Sequence, residues 1–463
     1  VAFFREIKSG GTTMEARLNR REFIGVTATA SAGLAMGVPS DTRAAGSELA
    51  KPALLGGPKA HPGTFPGWPV FDQTEEKALL DVVKSGNWFR GSGKAVVKFE
   101  EEYKKLTGAK HCLATSCGTS ALTTVLGALE VGPGDEVIIP PYTFIATYNA
   151  VALNYALPIF VDSDLESFQI DANKIEAAIT KQTKAIMPVH VGGSAADLDK
   201  ILAVGRKHNV PVIEDACQAH LGEWRGRKVG TLGLAGCFSF QASKNLNSGE
   251  GGAILTDDDR FAGICFNFHN QGRGRAAGGY NFSYSGTRGS NLRLAEFQGA
   301  MLVAQMTRLT AQTKRRTENA TYLTQLLKEI PGILPAKLYD GVTRSAFHLY
   351  MFRYDKARFA GLERDRFIAA LSKEGVPCSA GYGPMNRDTY VQGLAKNKGF
   401  LKVYGEQGMK QWLDRSDCPE NDKLCAQAVW FTQGMLLSSR TDMEQIAEAI
   451  RKIQKHASAL AKS

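Results

Sequence analysis

The 463-residue chain predicts an α/β protein: a mainly parallel, seven-stranded, doubly wound sheet in a large domain, followed by a smaller α+β C-terminal domain. Three observations carry that reading. Short apolar runs alternate with helical stretches from Lys110 onward, the pattern of strands joined by crossover helices. The runs are unbroken by polar residues, as strands covered on both faces require. A 43% hydrophobic composition over this length is enough for one large core and a smaller one.

The first elements are helical. Ala78, Leu79, Val82 and Val83 give helical spacing within Thr74–Lys84, and Val96–Leu106 continues it. Strands are expected at His111–Ala114, Glu136–Ile139, Pro158–Val161, Lys184–Val189, Val210–Glu214, Cys237–Phe240 and Ala253–Leu255. Helices are expected between them at Thr119–Leu129, Ile145–Tyr155, Ala172–Ile179 and Ala195–His208. Gly272–Gly289 reads as a Gly/Arg/Tyr-rich loop, and Leu292–Leu309 and Thr313–Leu327 as two long helices. A second unit opens with the alternating Phe347–Tyr354 and closes with the amphipathic helix Asp442–His456. The expected organisation is a leader over residues 1–45, an arm over 46–72, a large domain over 73–310 and a small one over 311–463. Within the last, Ala395–Phe431 reads as an irregular insertion.

Composition narrows the function. The net charge of +10 is dispersed, and its densest spots, Lys314–Arg316 and Arg273–Arg275, lack interleaved aromatics, which argues against a nucleic-acid surface. Six of the eight cysteines sit in or beside apolar runs and read as small core residues. Cys418 and Cys425 lie in a polar stretch, where a disulfide is open if the protein is exported. Asn19-Arg20-Arg21-Glu22-Phe23-Ile24 precedes a mildly apolar run to Val38, with small residues at Thr42–Ala45. That layout predicts twin-arginine export to the periplasm; the alternative is an ordinary N-terminal helix on a cytoplasmic protein. The run falls short of the roughly 20 residues that span a bilayer, so no permanent membrane span is expected.

Chemistry is expected at the carboxyl ends of the strands, where doubly wound sheets bind ligands. Lys244 lies in a polar turn between two apolar strands. A desolvated lysine there has its ammonium form disfavoured and can condense with an aldehyde. Cys117-Gly118-Thr119-Ser120 opens a helix, and glycine with hydroxyls at a helix start suits a phosphate, though a plain N-cap uses the same residues. Phe144, after Pro140-Pro141-Tyr142-Thr143, offers a face for an aromatic ligand. Asp215 ends a buried strand with no arginine close by. Either a distant arginine or a protonated ring nitrogen on a ligand would satisfy it. Pyridoxal 5′-phosphate (PLP) matches all four features, with the carboxylate keeping the ring nitrogen protonated.

The chain resembles the DegT/DnrJ/StrS sugar aminotransferases of PLP fold type I, from about Leu54 to the C-terminus. The marks are Gly118-Thr119-Ser120-Ala121-Leu122, Gly132–Val137, Glu214-Asp215-Ala216-Cys217-Gln218-Ala219-His220 and Phe238-Ser239-Phe240…Lys244…Gly249-Glu250-Gly251-Gly252. The resemblance implies that Lys244 carries the cofactor as a Schiff base and shuttles protons, and that Asp215 pairs with its ring nitrogen. It places Gln218 near the phenolic oxygen, stacks Phe144 on the ring and assigns Gly118, Thr119 and Ser239 to the phosphate. Asn291, in Gly289–Glu296, would reach the phosphate of a neighbouring subunit, implying a homodimer with shared active sites. Lysine rather than histidine at 244 favours transamination over sugar dehydration. Where many relatives carry a His-Tyr-x-Pro-x-His-type motif, this chain has Ala380–Asn386. That is more similar to the glutamine–scyllo-inositol aminotransferase branch, which acts on keto-cyclitols. His348, Tyr382 and Asn386 are the candidates for the substrate side. The expected reaction transfers an amino group from glutamate or glutamine to a keto-sugar or keto-cyclitol. A PLP-binding sensor without turnover and a PLP-dependent dehydratase are the alternatives.

Overall fold

The computed structural model describes residues 50–276, 279–284 and 288–462. The export-type leader therefore lies outside the described residues.

Seven strands line up in the large domain: β1 His111–Thr115, β2 Glu136–Ile139, β3 Leu157–Phe160, β4 Thr183–Ile186, β5 Ile213–Asp215, β6 Ala235–Ser239 and β7 Gly252–Thr256. Two ladders, β1-β7-β6-β5 and β3-β2-β4, are joined by parallel bridges at Ile186–Val212 and Val189–Asp215. The spatial order is thus β1-β7-β6-β5-β4-β2-β3. Only β7 runs antiparallel to its neighbours. This is the mainly parallel, seven-stranded sheet expected, and β2 and β3 are buried along their whole length. Their Val and Ile side chains pack against helices on both faces, including Gly118–Ala128 and Ile145–Ala152.

The C-terminal unit builds a three-stranded antiparallel sheet, in which Leu349–Tyr354 lies between Ile333–Pro335 and Ala428–Thr432. Helix Arg440–Lys455 covers it with Met443, Ile446, Ala449, Ile450 and Ile453, all fully buried. A capping box at Ser439 and Asp442 starts that helix, pairing two orphan backbone donors.

Four elements differ from expectation. The two helices before and after residue 310 are one helix, Glu296–Lys328, of 33 residues. The intervening Thr310-Ala311-Gln312 contains neither glycine nor proline, so nothing stops it. It crosses the expected domain boundary, with Leu302 and Leu309 in the large-domain core and Leu323 and Leu327 in the small one. The helix expected at Ala172–Ile179 shrinks to Ile175–Ala178. The Gly/Arg/Tyr-rich loop contains a hairpin, Arg273–Ala276 with Gly279–Tyr284. Tyr280, Phe282 and Tyr284 alternate with polar residues there, the period-two signal that the surrounding glycines hide.

The segment read as an irregular insertion is ordered: helices Lys398–Asp414 and Pro419–Gln427 lead into the strand Ala428–Thr432. It also crosses back onto the large domain. Phe400, Met409 and Trp412 join the core of β2 and β3, and the Trp412 indole donates to the Pro158 carbonyl at 2.8 Å. Arg415 pairs with Glu136 at 2.7 Å, fastening the segment to the start of β2. All eight cysteines are free thiols, Cys418 and Cys425 both buried. Among the described residues no helix is long and apolar enough to cross a membrane, and no His/Cys/Asp/Glu group could hold a metal ion.

The arm before the first helix is tied down. Glu374, fully buried, accepts from the Ala53 and Ala60 N–H groups at 2.7 and 2.8 Å and pairs with Lys452 at 2.9 Å. Eight residues after Ala60, the Trp68 indole donates to the Ala242 carbonyl at 2.9 Å. This contact delivers an aromatic ring to the mouth of the large-domain sheet.

Candidate active site

The carboxyl ends of β5 and β6, the start of helix Gly118–Ala128 and the C-terminal sheet enclose a cavity of about 720 Å³. Gly118, Thr119, Phe144, Asp215, Gln218, Ser239, Lys244, His348 and Tyr382 all line it.

Lys244 hangs from a turn that leaves β6 and returns into β7. The Lys244 N–H bonds the Gln241 carbonyl at 2.8 Å, and Ala242 N–H bonds Gly249 at 2.9 Å, closing the loop. Gly252 is required at the return: a Cβ there would lie 2.3 Å from the Cys117 carbonyl oxygen. Burial holds the Lys244 amine below the usual lysine range, against the opposing pull of Cys217 and Asp215. Its Nζ is 3.4 Å from Nε2 of His348. Burial likewise pushes His348 well below the usual histidine range, with the Lys244 charge adding to it. A neutral amine is the nucleophilic form, and burial shifts the Lys244 amine toward it.

Asp215 is 3% exposed, and among the described residues its hydrogen-bond partners are neither an arginine nor another charge. Oδ2 accepts from the Thr147 hydroxyl at 2.8 Å, Thr147 is linked to Thr143 at 2.9 Å, and Oδ1 accepts from the Cys217 N–H at 3.2 Å. A carboxylate held by neutral donors keeps its charge uncompensated for a cationic ligand group.

At the phosphate end, the N–H groups of Gly118 and Thr119 donate to no protein group among the described residues, while Cys117 Sγ caps the Ser120 N–H at 3.3 Å. Gly118 also meets a steric demand, since a Cβ would lie 2.6 Å from that of Ser239. The helix start and the end of β6 are thus pressed together, bringing the free N–H groups beside the Ser239 hydroxyl. Phe144 is 56% exposed and opens onto the cavity. Gln218 is held at both ends: Oε1 accepts from the Gly192 N–H at 2.8 Å and Nε2 donates to the Tyr382 hydroxyl at 3.0 Å. Burial pushes the Tyr382 phenol up to about 12, and its ring meets Trp430 edge-on at 4.6 Å.

These residues fit PLP. Lys244 for the aldehyde, Asp215 for the ring nitrogen and a helix start with free donors for the phosphate surround one cavity. The profile of the DegT/DnrJ/EryC1/StrS aminotransferases matches residues 70–413, three-quarters of the chain. The chain belongs to this family. Among curated relatives of this aminotransferase is the L-glutamine:2-deoxy-scyllo-inosose aminotransferase of Streptoalloteichus tenebrarius. It is 35% identical over 406 residues, which cover 84% of this chain and 95% of that protein. The 3-amino-5-hydroxybenzoate synthase of Amycolatopsis mediterranei is 33% identical over 391 residues, covering 83% of this chain and 96% of that one. Among solved structures, that of 3-amino-5-hydroxybenzoic acid synthase superposes with a TM-score of 0.74 at 32% identity, over 86% of this chain and 99% of that one. This aminotransferase is PLP-dependent, with the type I fold.

Two expected site residues stand apart from the cavity. Asn386 is 1% exposed and does not line it. Its amide donates to Asp422 at 3.2 Å and accepts from Asn421 at 2.8 Å, so it stitches the 385–422 segment together instead of facing substrate. Asn291 is exposed and bridges Asn270 through its backbone; it does not line this chain's own cavity. Conversely, Thr147, Trp68 and Trp430 line the cavity without having been singled out. Thr147 lies in the first turn of helix Ile145–Ala152 and Thr143 just before its cap, so their pairing comes from the chain's entry into that helix.

Proposed function

We propose that this aminotransferase moves the amino group of L-glutamine or L-glutamate to the ketone of a cyclitol or sugar, with Lys244 as the residue that carries the cofactor. Lys244, an amine desolvated at the cavity floor opposite a carboxylate held by neutral donors, is the observation that carries the reading. PLP supplies an electron sink once its ring nitrogen is protonated. Asp215 keeps that proton in place through its negative charge, and Thr147 orients the carboxylate. The Gly118 and Thr119 N–H groups and the Ser239 hydroxyl bind the phosphate at the positive end of the helix dipole. Gln218 is oriented by Gly192 and Tyr382 to donate toward the phenolic oxygen, and Phe144 covers the ring. The neutral Lys244 amine takes a proton from the reacting carbon and returns it. Tyr382 and His348 border the space left for substrate. The glutamine and keto-cyclitol assignment is supported by the names of the relatives that align over most of this chain.

The test is a half-reaction. Yellow holoprotein mixed with L-glutamine bleaches in the visible, and the bleached form recovers its colour with a keto-cyclitol or keto-sugar from a panel. No bleaching with any amino acid would favour a cofactor-binding sensor. Loss of water from the sugar without bleaching would favour a dehydratase.

A homodimer with shared sites belongs to the same reading. Phe71, Trp88, Phe89 and Val97 are 68, 53, 49 and 49% exposed, apolar side chains that a second subunit would cover. Asn291, exposed and not lining its own chain's cavity, is the residue that would reach a neighbour's. Export by the twin-arginine route is proposed on the Arg20-Arg21 leader, because that route passes proteins already folded around a cofactor. One measurement covers both: the protein recovered from the periplasmic fraction is expected at twice the subunit mass and without its leader. A full-length cytoplasmic monomer would refute the two together.

A further inference from the structure

Sequence placed His348 on the substrate side, but its hydrogen bonds point elsewhere. Asn245 follows Lys244 directly, and its amide nitrogen donates to the Ala346 carbonyl at 2.7 Å. That bond fixes which way the amide faces, leaving Oδ1 toward His348 Nδ1 at 3.3 Å. An amide oxygen can only accept, so Nδ1 carries the imidazole hydrogen and Nε2 carries the lone pair. Nε2 is the nitrogen 3.4 Å from the Lys244 amine. The chain is therefore directional, from Lys244 to His348 to Asn245 to the backbone of Ala346.

We propose that His348 is a positioning residue for Lys244: its Nε2 lone pair holds one amine hydrogen, so that the amine's own lone pair turns toward the cavity. Lys244 is a four-carbon chain with free rotation, and a nucleophile gains when its attack direction is fixed beforehand. The imidazole suits the task because it stays neutral. It is 6% exposed, and burial first, then the charges of Lys244, His220 and Arg316, oppose a positive charge on it. Asp215 and Cys217 face Lys244 from the end of β5, while His220 and the buried guanidinium of Arg316, on helix Glu296–Lys328, face His348. Histidine titration near neutral pH is thus suppressed, and the acceptor persists across the working range. The inference concerns the same lysine as the proposed function and rests on that reading only for the second measurement below.

The test compares His348→Phe, which keeps a ring of similar size without an acceptor, and His348→Gln, which restores an acceptor oxygen. The first readout uses protein stripped of cofactor and needs no activity. Lys244 is labelled with acetic anhydride across a pH series and quantified on its own peptide by mass. An acceptor stabilises the ammonium form, so the labelling midpoint in His348→Phe is expected about one unit lower than in the parent, with His348→Gln returning most of the way. Coincident midpoints in all three proteins would overturn the proposal, as would a Phe midpoint that rises. If His348→Phe does not fold, parent against His348→Gln and His348→Leu decides on the same criterion. The second readout is bleaching of holoprotein by L-glutamine. The maximal rate should fall about 10- to 100-fold in His348→Phe, with half-saturating glutamine unchanged within about twofold. A rise in half-saturation at an unchanged maximal rate would return His348 to substrate binding. Failure of the parent to bleach would count against the proposed function and leave the labelling result standing.

Discussion

Lys244→Ala is expected to lower turnover by about 10⁴-fold or more, since one substitution removes both the nucleophile and the proton carrier. The protein should remain folded. Among the described residues the Lys244 amine has one side-chain hydrogen bond, to His348 at 3.4 Å, and burial disfavours its charged form, so truncation removes a desolvated amine from the interior. Thermal unfolding of the cofactor-free proteins should therefore show no loss for the variant, while steady-state turnover collapses. The noncovalent contacts persist: Asp215, Gln218, Ser239 and the start of helix Gly118–Ala128 are untouched. Added PLP should still bind, with the absorption of a free aldehyde. Turnover within about tenfold of the parent would remove Lys244 from the chemistry.

Asp215→Asn is expected to cost about 10²–10³-fold in turnover, the scale of losing one preorganised electrostatic contact. The change keeps the size of the side chain and one acceptor oxygen for the Thr147 hydroxyl, while the amide nitrogen replaces the oxygen that accepts from the Cys217 N–H, so the charge and that weaker contact go together. Without that charge nothing at the base of the cavity stabilises a cationic ring nitrogen. Thr147→Val isolates the supporting contact. A hydrogen bond to a charged group contributes about 1.5–3 kcal/mol, some of which Cys217 N–H retains, so turnover should fall roughly tenfold. If Asp215→Asn left turnover unchanged while Thr147→Val impaired it, the carboxylate would be structural.

Most of the sheet was legible because its strands are buried on both faces. The run Glu136–Ile139 has no polar interruption to confuse a strand with a loop and its ends match to the residue, whereas the expected Lys184–Val189 and Val210–Glu214 each differ by three residues at one end. The long helix was split because a polar Thr-Ala-Gln-Thr stretch interrupts the apolar pattern, although polarity does not end a helix that passes between two domains. The segment from 395 to 431 failed for a different reason. Its apolar residues serve two cores, with Trp412 packing on β3 and Val429 and Phe431 on the small sheet, so no single period runs through it.

The site divides along similar lines. Lys244, Asp215 and Gly118 were readable because each breaks the logic of its surroundings: a charge beside a buried strand end, or a glycine where a helix begins. Thr147 and Trp430 look like ordinary helix and strand residues and become site residues only when the chain brings them over the cavity. Asn386 lies off the cavity because the loop carrying Tyr382 turns after Pro384, where its side chain bonds Asn421 and Asp422. For Asp215 the sequence left a distant arginine open as a partner, and the structure supplies a neutral hydroxyl instead, which strengthens the case for a cationic ligand group.

The central claim is a covalent link between position 244 and the cofactor aldehyde. Reduction of the purified holoprotein with borohydride, followed by proteolysis and mass measurement, addresses it without a substrate. The account predicts the added mass of reduced pyridoxyl phosphate on the peptide containing Lys244, with loss of the visible absorption. A coloured protein whose added mass falls on another lysine, or on none, would contradict it.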